Sequence, residues 1–232
     1  MEIYNFNKEF YKLLNKYPRA NKLIDSLSTY GEILLFGGAV REFNDSKFNI
    51  VPRDFDIVVK KYNKNINLDN LLNEFSYKKN RFNGYKIQAD SLEFDIWEIE
   101  NTWAFKEKKV SCSEEDYIAK LPDTVFLNID SVVYNITKQQ VYYNRYKEAM
   151  KYKVLDVVLT DNPYIELNML RAILFKKKYN MKFSARLVKL LHNFINENDD
   201  YLDKIYEAQF NHYDTCKIRK RELEIELCNV KN

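Results

Sequence analysis

The chain has 232 residues, of which 46% are hydrophobic and 31% are charged, a composition typical of a folded globular protein. No apolar run approaches the ~20 residues that a membrane helix needs, and the N-terminus lacks the features of a signal peptide. We therefore expect a cytoplasmic protein with no membrane partner. The net charge of +3 permits a nucleic-acid partner without requiring one. Three scattered cysteines and two histidines argue against zinc sites and histidine-based triads; the oligomeric state is open.

The first third of the chain alternates helical and strand patterns. Apolar residues at helical spacing predict helices over 3–16 and 19–29, separated by Pro18. Gly31 suits a C-terminal cap for the second helix. A strand over 33–36, a short helix and a loop through Pro52 follow.

A glycine pair follows the first predicted strand. Gly37 and Gly38 are two of only four glycines in the chain, and they precede a helix-compatible segment. A strand, a glycine pair and a helix together present backbone N–H groups and a helix N-terminus to an anion, most often a phosphate. The sequence therefore predicts a phosphate site at this turn.

Two aspartates mark the next strand, over 54–60. Side chains alternate along a strand, so Asp54 and Asp56 point to the same face. Two carboxylates on one face are costly to bury unless a cation compensates them, and Mg²⁺ is the natural partner beside a phosphate. Together the two features predict metal-assisted phosphoryl or nucleotidyl transfer. The alternative is an ordinary strand–turn–helix with two surface aspartates.

The segments GGAVRE at 37–42 and RDFDIVV at 53–59 resemble the nucleotidyltransferase signature of class II CCA-adding enzymes and bacterial poly(A) polymerases. These enzymes belong to the DNA polymerase beta superfamily; Glu42 stands where their pattern has aspartate. The resemblance implies an α+β fold, with a polymerase-beta-like nucleotidyltransferase head (a mixed sheet with flanking helices) followed by a small helical domain. We expect residues 1–145 to form the catalytic domain and 146–232 a helical, neck-like domain.

A third carboxylate comes later in the chain. The pattern predicts a helix over 66–77 and strands over 84–89 and 92–99. Asp95 stands on the last of these, which can lie beside strand 54–60. The superfamily carries its third carboxylate on such a strand. The resemblance thus implies that Asp54, Asp56 and Asp95 are catalytic residues and ligands of two Mg²⁺ ions. For Asp95, the alternative is a surface aspartate or a salt-bridge partner.

Nucleotide-binding residues are also implied by the resemblance. They are Gly37, Gly38, Arg41, Arg53 and Arg171. For Arg171, on a predicted helix over 168–184, a salt bridge is an equal alternative. The substrate implied is an NTP, whose nucleoside monophosphate passes to an acceptor hydroxyl.

The resemblance covers residues 31–184 and weakens after Asp95. A strand segment over 126–143 and a helix over 146–158 resemble family elements. However, residues 124–126 replace an R-R-D and residues 164–165 replace an E-D that family members use for nucleotide recognition, so CCA-type base selection is not expected. Trp103 and Phe105 are candidates for base stacking or, alternatively, for filling a core edge.

The end of the chain is helical from residue 184, with a break at 198–200. The segment KIRKRELEIELC at 217–228 is either a solvated helix with i,i+4 ion pairs or a contact for an RNA backbone. We expect the acceptor to be an RNA 3′ end, such as that of tRNA. Nucleotidylylation of a small molecule or protein, and an inactive nucleotide- or RNA-binding module, are the alternatives.

Overall fold

The computed structural model describes residues 5–80 and 82–231, apart from the side chain of residue 231. The chain divides into two compact units. The first contains the chain up to Thr124 together with Asp130–Asn144, and the second contains Val125–Ile129 and the chain from Arg145 onward.

A mixed β-sheet forms the centre of the first unit. Its strands within the described residues are β1 Gly31–Phe36, β2 Phe55–Lys61, β3 Tyr77–Lys79, β4 Tyr85–Ala89, β5 Leu92–Glu98, β6 Val133–Asn135 and β7 Gln140–Tyr142. They lie in the order β3-β4-β5-β2-β1-β6-β7. The β2–β5 pair is parallel and the other pairs are antiparallel.

Helices cover both faces of this sheet. They are α1 Phe6–Leu14, α2 Pro18–Tyr30, α3 Gly38–Ser46, α4 Leu68–Leu72, α5 Trp103–Lys106 and α6 Tyr117–Lys120. On one face, the Phe10 ring of α1 lies 5.9 Å from that of Phe55, which stacks on Phe94 at 5.3 Å. On the other face, Phe105 and Ile118 pack in one buried cluster with Leu34, Val58 and Val133. The sheet is therefore a two-sided core.

The second unit is mainly helical. It contains α7 Asn144–Tyr152, β8 Val154–Leu155, α8 Ile165–Tyr179, β9 Lys182–Phe183, α9 Ala185–Glu197, α10 Tyr201–Tyr213 and α11 Lys220–Lys231. Helix α11 is attached by polar contacts: Lys176 of α8 pairs with Glu226 at 2.5 Å, and His192 Nε2 of α9 lies 2.5 Å from the Val230 carbonyl oxygen. Glu226 thus pairs with a residue of another helix, whereas i,i+4 pairs within this segment were one of the two alternatives considered from the sequence.

The predicted fold class is confirmed: a mixed sheet with flanking helices is followed along the chain by a helical unit. The strands expected over 84–89 and 92–99 and the helix break at 198–200 are also confirmed. The start of the first predicted helix, at residue 3, lies outside the described residues. Within the described ranges, no helix is both long and apolar enough to cross a membrane.

Three local predictions are wrong. The helix predicted over 66–77 ends at Leu72, because the following residues pair with β4 as the edge strand β3. The helix predicted over 146–158 ends at Tyr152, since Lys153 has a positive φ of 56° and the next residues pair with β9. The helix predicted over 168–184 runs instead over Ile165–Tyr179, with Asn180 in the left-handed conformation at its end.

Gly31 ends α2, as predicted: it is the C-cap residue of this helix, and its N–H donates to the Leu27 carbonyl. Its φ of −171° is extended, because it is also the first residue of β1. A Cβ at this position would lie 2.5 Å from the Lys60 carbonyl oxygen. Glycine is therefore needed here for the close approach of β2, and not for its conformational freedom.

Candidate active site

The glycine pair forms the turn between β1 and α3. Gly37 has φ 55° and ψ −108°, a conformation that side-chain-bearing residues rarely adopt. Its N–H donates to the Val132 carbonyl at 2.9 Å, and its carbonyl accepts the first helical bond, from Arg41 N at 3.1 Å. Helix α3 begins at Gly38 and no side chain caps its N-terminus. The helix start therefore presents backbone N–H groups beside a side-chain-free turn.

Asp56 and Asp95 lie side by side on adjacent parallel strands. They are register partners in the β2–β5 pair, as are their neighbours Phe55 and Phe94. The two phenylalanines are fully buried on the face covered by α1, so the two aspartates point to the opposite face, where both are half-buried. Adjacent strands are about 4.8 Å apart, which makes this a close pair of carboxylates.

The glycine turn and the aspartates share one end of the sheet. β1 runs antiparallel to β2, and Leu35 pairs with Ile57 at the end of their ladder. The chain leaves β1 at Gly37 where β2 begins, directly after Asp54. The phosphate site predicted at the turn would therefore lie at the sheet end that carries the aspartates.

The electrostatic environment of Asp95 disfavours its charge. Burial raises the pKa of Asp95, and the nearby carboxylates of Asp54 and Glu93 raise it further, while Lys86 and Arg53 act in the opposite direction. Asp54 and Asp95 are therefore within electrostatic reach of each other. A cation placed between these carboxylates would relieve the repulsion.

The donor set suits a hard divalent cation but is not preassembled. Among the described residues, no group of three or more His, Cys, Asp or Glu side chains is arranged to hold a metal ion. Mg²⁺ in proteins is commonly bound by one or two carboxylates together with substrate phosphates and water. The Asp56–Asp95 pair fits that requirement, and the predicted metal-binding role of Asp54, Asp56 and Asp95 stays a prediction.

The two arginines of the signature differ in environment. Arg53 forks onto Asp54, with Nη2 2.6 Å and Nε 3.0 Å from Oδ2, and its side chain is 51% exposed. Arg41 is buried, and its guanidinium forms an ion pair with the buried carboxylate of Asp130. Asp130 carries no signal in the sequence, because it belongs to no motif and comes from a distant segment. The pair holds the Arg41 guanidinium beside Gly38.

Comparison with known proteins identifies the fold. No family model matches the chain, and no curated protein resembles it closely in sequence. Its structure matches a CCA-adding enzyme solved with ATP (TM-score 0.66, 17% identity), over 99% of this chain and 53% of that one. The chain shares the fold of the CCA-adding enzymes. It also matches the Thermotoga maritima CCA-adding enzyme solved with tRNA (TM-score 0.62, 16% identity, 95% of this chain and 51% of that one).

A third match is to a tRNA-processing enzyme in an apo form, with a TM-score of 0.57 and 19% identity, over 86% of this chain and 52% of that one. The chain spans about half the length of these CCA-adding and tRNA-processing enzymes. The resemblance derived from the sequence motifs is therefore confirmed at the level of the fold.

Several positions depart from the pattern of CCA-adding enzymes. Phe126 is 4% exposed, and its backbone carbonyl accepts a hydrogen bond from Val158 N at 2.7 Å. Its buried ring carries no polar group that could form a hydrogen bond with a base. Tyr164 precedes α8 with φ 61°, and its side chain is exposed. On α8 itself, the Arg171 guanidinium lies 5.5 Å from the Phe175 ring centroid, and its predicted nucleotide contact stays a prediction. Phe105 is buried and stacks on Tyr117 at 4.5 Å, as the core-filling alternative expected.

Proposed function

We propose that this protein is a nucleotidyltransferase that moves a nucleoside monophosphate from an NTP to an acceptor hydroxyl, most simply an RNA 3′ end. The acceptor oxygen would replace pyrophosphate on the α-phosphorus and lose its proton. The observation that carries the proposal is the in-register pair Asp56 and Asp95 at the sheet end where the Gly37–Gly38 turn opens α3.

Different residues would bind the triphosphate and the Mg²⁺ ions. The N–H groups at the start of α3 would receive the triphosphate, since a helix N-terminus favours negative charge. Asp54, Asp56 and Asp95 would hold the Mg²⁺ ions. When bound, such ions activate the acceptor oxygen and neutralise the departing pyrophosphate. Arg53, half-exposed beside Asp54, would restrain that carboxylate, and its guanidinium would contact the nucleotide.

The choice of an RNA acceptor draws support from the structural neighbours. Solved CCA-adding enzymes of this fold include complexes with ATP, with CTP and with tRNA. The buried Phe126 and the apolar Ile165 at positions of base recognition favour a base choice different from that of CCA addition. We therefore propose tRNA or another RNA as acceptor, without CCA-type alternation between CTP and ATP.

The test is direct transfer of label. The purified protein is incubated with Mg²⁺, total RNA and each α-³²P-labelled NTP in turn, and RNA is separated from protein and small molecules. Label is expected in RNA with at least one NTP, and Asp56→Asn is expected to lose activity by several orders of magnitude, because charge at the reacting phosphate supplies most of this catalysis.

Asp199→Asn is the matched control, because Asp199 is exposed in the second unit and the substitution removes the same charge. It should retain full transfer. Label found only in protein or a small molecule would replace the RNA acceptor with that class. Equal activity of Asp56→Asn and the wild-type protein would reject the site, and no label anywhere would favour an inactive binding module.

A further inference from the structure

A row of four charged side chains crosses the sheet face that carries the carboxylates. Lys78 of β3 pairs in register with Lys86 of β4, Lys86 with Asp95 of β5, and Asp95 with Asp56 of β2. Register partners on adjacent strands point to the same face. At about 4.8 Å per strand, Lys78 stands about 10 Å from Asp95. Two lysines thus continue the line of the carboxylates toward the β3 edge.

The sheet order gives this row a direction. β1, which leads into the Gly37–Gly38 turn, lies next to β2 on one side of the carboxylates, whereas β4 and β3 lie on the other side, beyond β5. In an in-line displacement, the attacking oxygen and the leaving pyrophosphate lie on opposite sides of the phosphorus. If the triphosphate is held at α3, the acceptor approaches from the side of Lys86 and Lys78.

The outer end of the row has cationic groups available for an anion. A cavity of about 470 Å³ at the β3–β4 edge is lined by Lys78, Lys86 and Arg19, together with Asp90 and Glu93. Within the described ranges, no hydrogen bond or ion pair engages the side chains of Lys78 and Arg19, which are both exposed. Lys86 lies 3.3 Å from Glu93, a half-exposed surface pair of the kind that exchanges partners at little cost.

We propose that Lys86 and Lys78 form the acceptor-side track of the active site, binding successive phosphates of a single-stranded RNA 3′ end and directing its terminal hydroxyl toward Asp95 and Asp56. This inference rests on the proposed function and deepens it, since it assigns the acceptor class to residues of this chain. A strand of repeated phosphates can contact both lysines at once. A small-molecule acceptor would place its hydroxyl at the carboxylates and would not need a cation about 10 Å away from them.

A half-buried tryptophan on the same face favours a nucleic-acid strand over other polyanions. Trp97 lies two residues after Asp95 on β5, and so on the same face. Its indole covers Gly84 so closely that a Cβ there would lie 2.0 Å from Nε1. Cationic side chains beside a partly exposed aromatic ring are the combination by which single strands are bound, through phosphates and base stacking.

Binding is tested without catalysis. The affinity of a fluorescein-labelled, single-stranded RNA oligonucleotide for the full chain is measured by anisotropy in EDTA, over a series of salt concentrations. Lys78→Gln/Lys86→Gln is expected to weaken binding about tenfold at low salt and to reduce the slope of log K against log salt by about 1.4, since each phosphate contact on a single strand contributes about 0.7. Lys78→Arg/Lys86→Arg keeps both charges and should restore both values.

The matched control is Lys8→Gln/Lys12→Gln. These two lysines are exposed on α1, the helix that covers the opposite sheet face, and their substitution removes the same charge. The RNA affinity of this double variant, and its slope of log K against log salt, should equal those of the wild-type chain. Equal losses in both double variants would overturn the track in favour of general attraction, and no loss in Lys78→Gln/Lys86→Gln would overturn it outright.

The transfer assay separates this inference from the proposed function. In RNA labelling by the wild-type chain, Lys78→Gln/Lys86→Gln should raise KM for RNA while kcat at saturating RNA is retained, the pattern of lost uniform binding. Absence of transfer by the wild-type chain rejects the proposed function, whereas transfer with an unchanged KM in the lysine variant rejects only the track. Efficient labelling of a protein or small molecule by both forms would also reject it.

Discussion

The two signature arginines show how one residue type serves two structural purposes. The Arg41 and Asp130 side chains are 7% and 9% exposed, whereas that of Arg53 is 51% exposed. Burying a guanidinium is costly unless a carboxylate compensates it, and removing one member leaves an uncompensated buried charge. Arg41 is therefore fixed by the fold, while Arg53 lies at the surface beside Asp54.

We predict that Arg41→Met and Asp130→Leu each lower the free energy of unfolding by about 3–5 kcal/mol, as expected for a broken buried pair. The double variant Arg41→Met/Asp130→Leu should recover most of this loss, because no charge is left unpaired. Urea denaturation measures all three values. Arg53→Met, which breaks an exposed pair, should cost no more than about 1 kcal/mol and is the control.

The same variants test the nucleotide-binding role predicted for Arg41. If the Arg41 guanidinium also contacts the nucleotide, the double variant will show a raised KM for NTP even though its stability is recovered. A double variant with wild-type stability and wild-type KM assigns Arg41 to the fold alone. Equal stability costs for Arg41→Met and Arg53→Met would contradict the account of the buried pair.

At the scale of elements, Gly84 and Gly38 differ in the space that surrounds them. At Gly84 a Cβ would overlap the Trp97 indole, with ring atoms at 2.0–2.6 Å. At Gly38 the nearest atom to an added methyl carbon would be Arg41 Nη2, at 3.8 Å. The first position has no room for a side chain, while the second has room for a methyl group in the protein itself.

We predict that Gly84→Ala lowers the free energy of unfolding by about 1–3 kcal/mol, the usual cost of overpacking, and shifts the tryptophan fluorescence as Trp97 is displaced. Gly38→Ala should leave stability nearly unchanged. It should nevertheless raise KM for NTP, because a methyl group at the start of α3 would obstruct the approach of phosphate to the backbone N–H groups. A destabilised Gly38→Ala, or a Gly84→Ala as stable as the wild-type chain, would contradict these assignments.

Local patterns predicted some elements well and others poorly. The strands carrying Asp56 and Asp95 were predictable, because alternation and turn residues are local signals. The edge strand β3 was not, since the helical apolar spacing continues to Phe75 and only the pairing of Tyr77 with Ile87 makes the next residues a strand. Local propensity is a weak guide where a distant partner decides the conformation.

The same limit applies to the site. The motif carried Asp54 and Asp56, and the resemblance added Asp95, but the row from Lys78 to Asp56 depends on the register of four strands, which no local pattern contains. Asp130 was hidden for a related reason, because its pairing with Arg41 joins segments 89 residues apart. Lys86 had one local signal, its outward position on an alternating strand.

At the scale of the whole molecule, the sheet order brings three separate stretches of sequence to one place. β2 lies between β1, which leads into the Gly37–Gly38 turn, and β5, which carries Asp95. The carboxylates repel one another, and no three of the described acidic, histidine or cysteine side chains form a finished metal site. If the carboxylates hold Mg²⁺ as proposed, the ions and the substrate phosphates together would complete the site.

This incomplete site has a thermodynamic consequence that can be measured on the intact chain. A ligand that binds only the folded state stabilises it by RT ln(1 + [L]/Kd), about 2.7 kcal/mol at a concentration of 100 Kd. We predict that Mg²⁺ and a non-hydrolysable NTP analogue added together raise the melting temperature by several degrees, since 1 kcal/mol corresponds to about 2–4 °C in a chain of this size. Mg²⁺ alone should give a much smaller shift, because the phosphate oxygens that complete its coordination are missing.

Two aspartate variants test whether the Mg²⁺ and the NTP analogue that cause this joint shift bind at the carboxylates. Asp56→Asn should show no rise in melting temperature when Mg²⁺ and the NTP analogue are added together. Without ligands, it should unfold at the same or a slightly higher temperature than the wild-type chain, since one repulsive charge is gone. Asp199→Asn, which removes an exposed carboxylate in the second unit, should keep the wild-type shift. A joint shift of equal size in Asp56→Asn and in the wild-type chain would place the metal–nucleotide complex elsewhere on the protein.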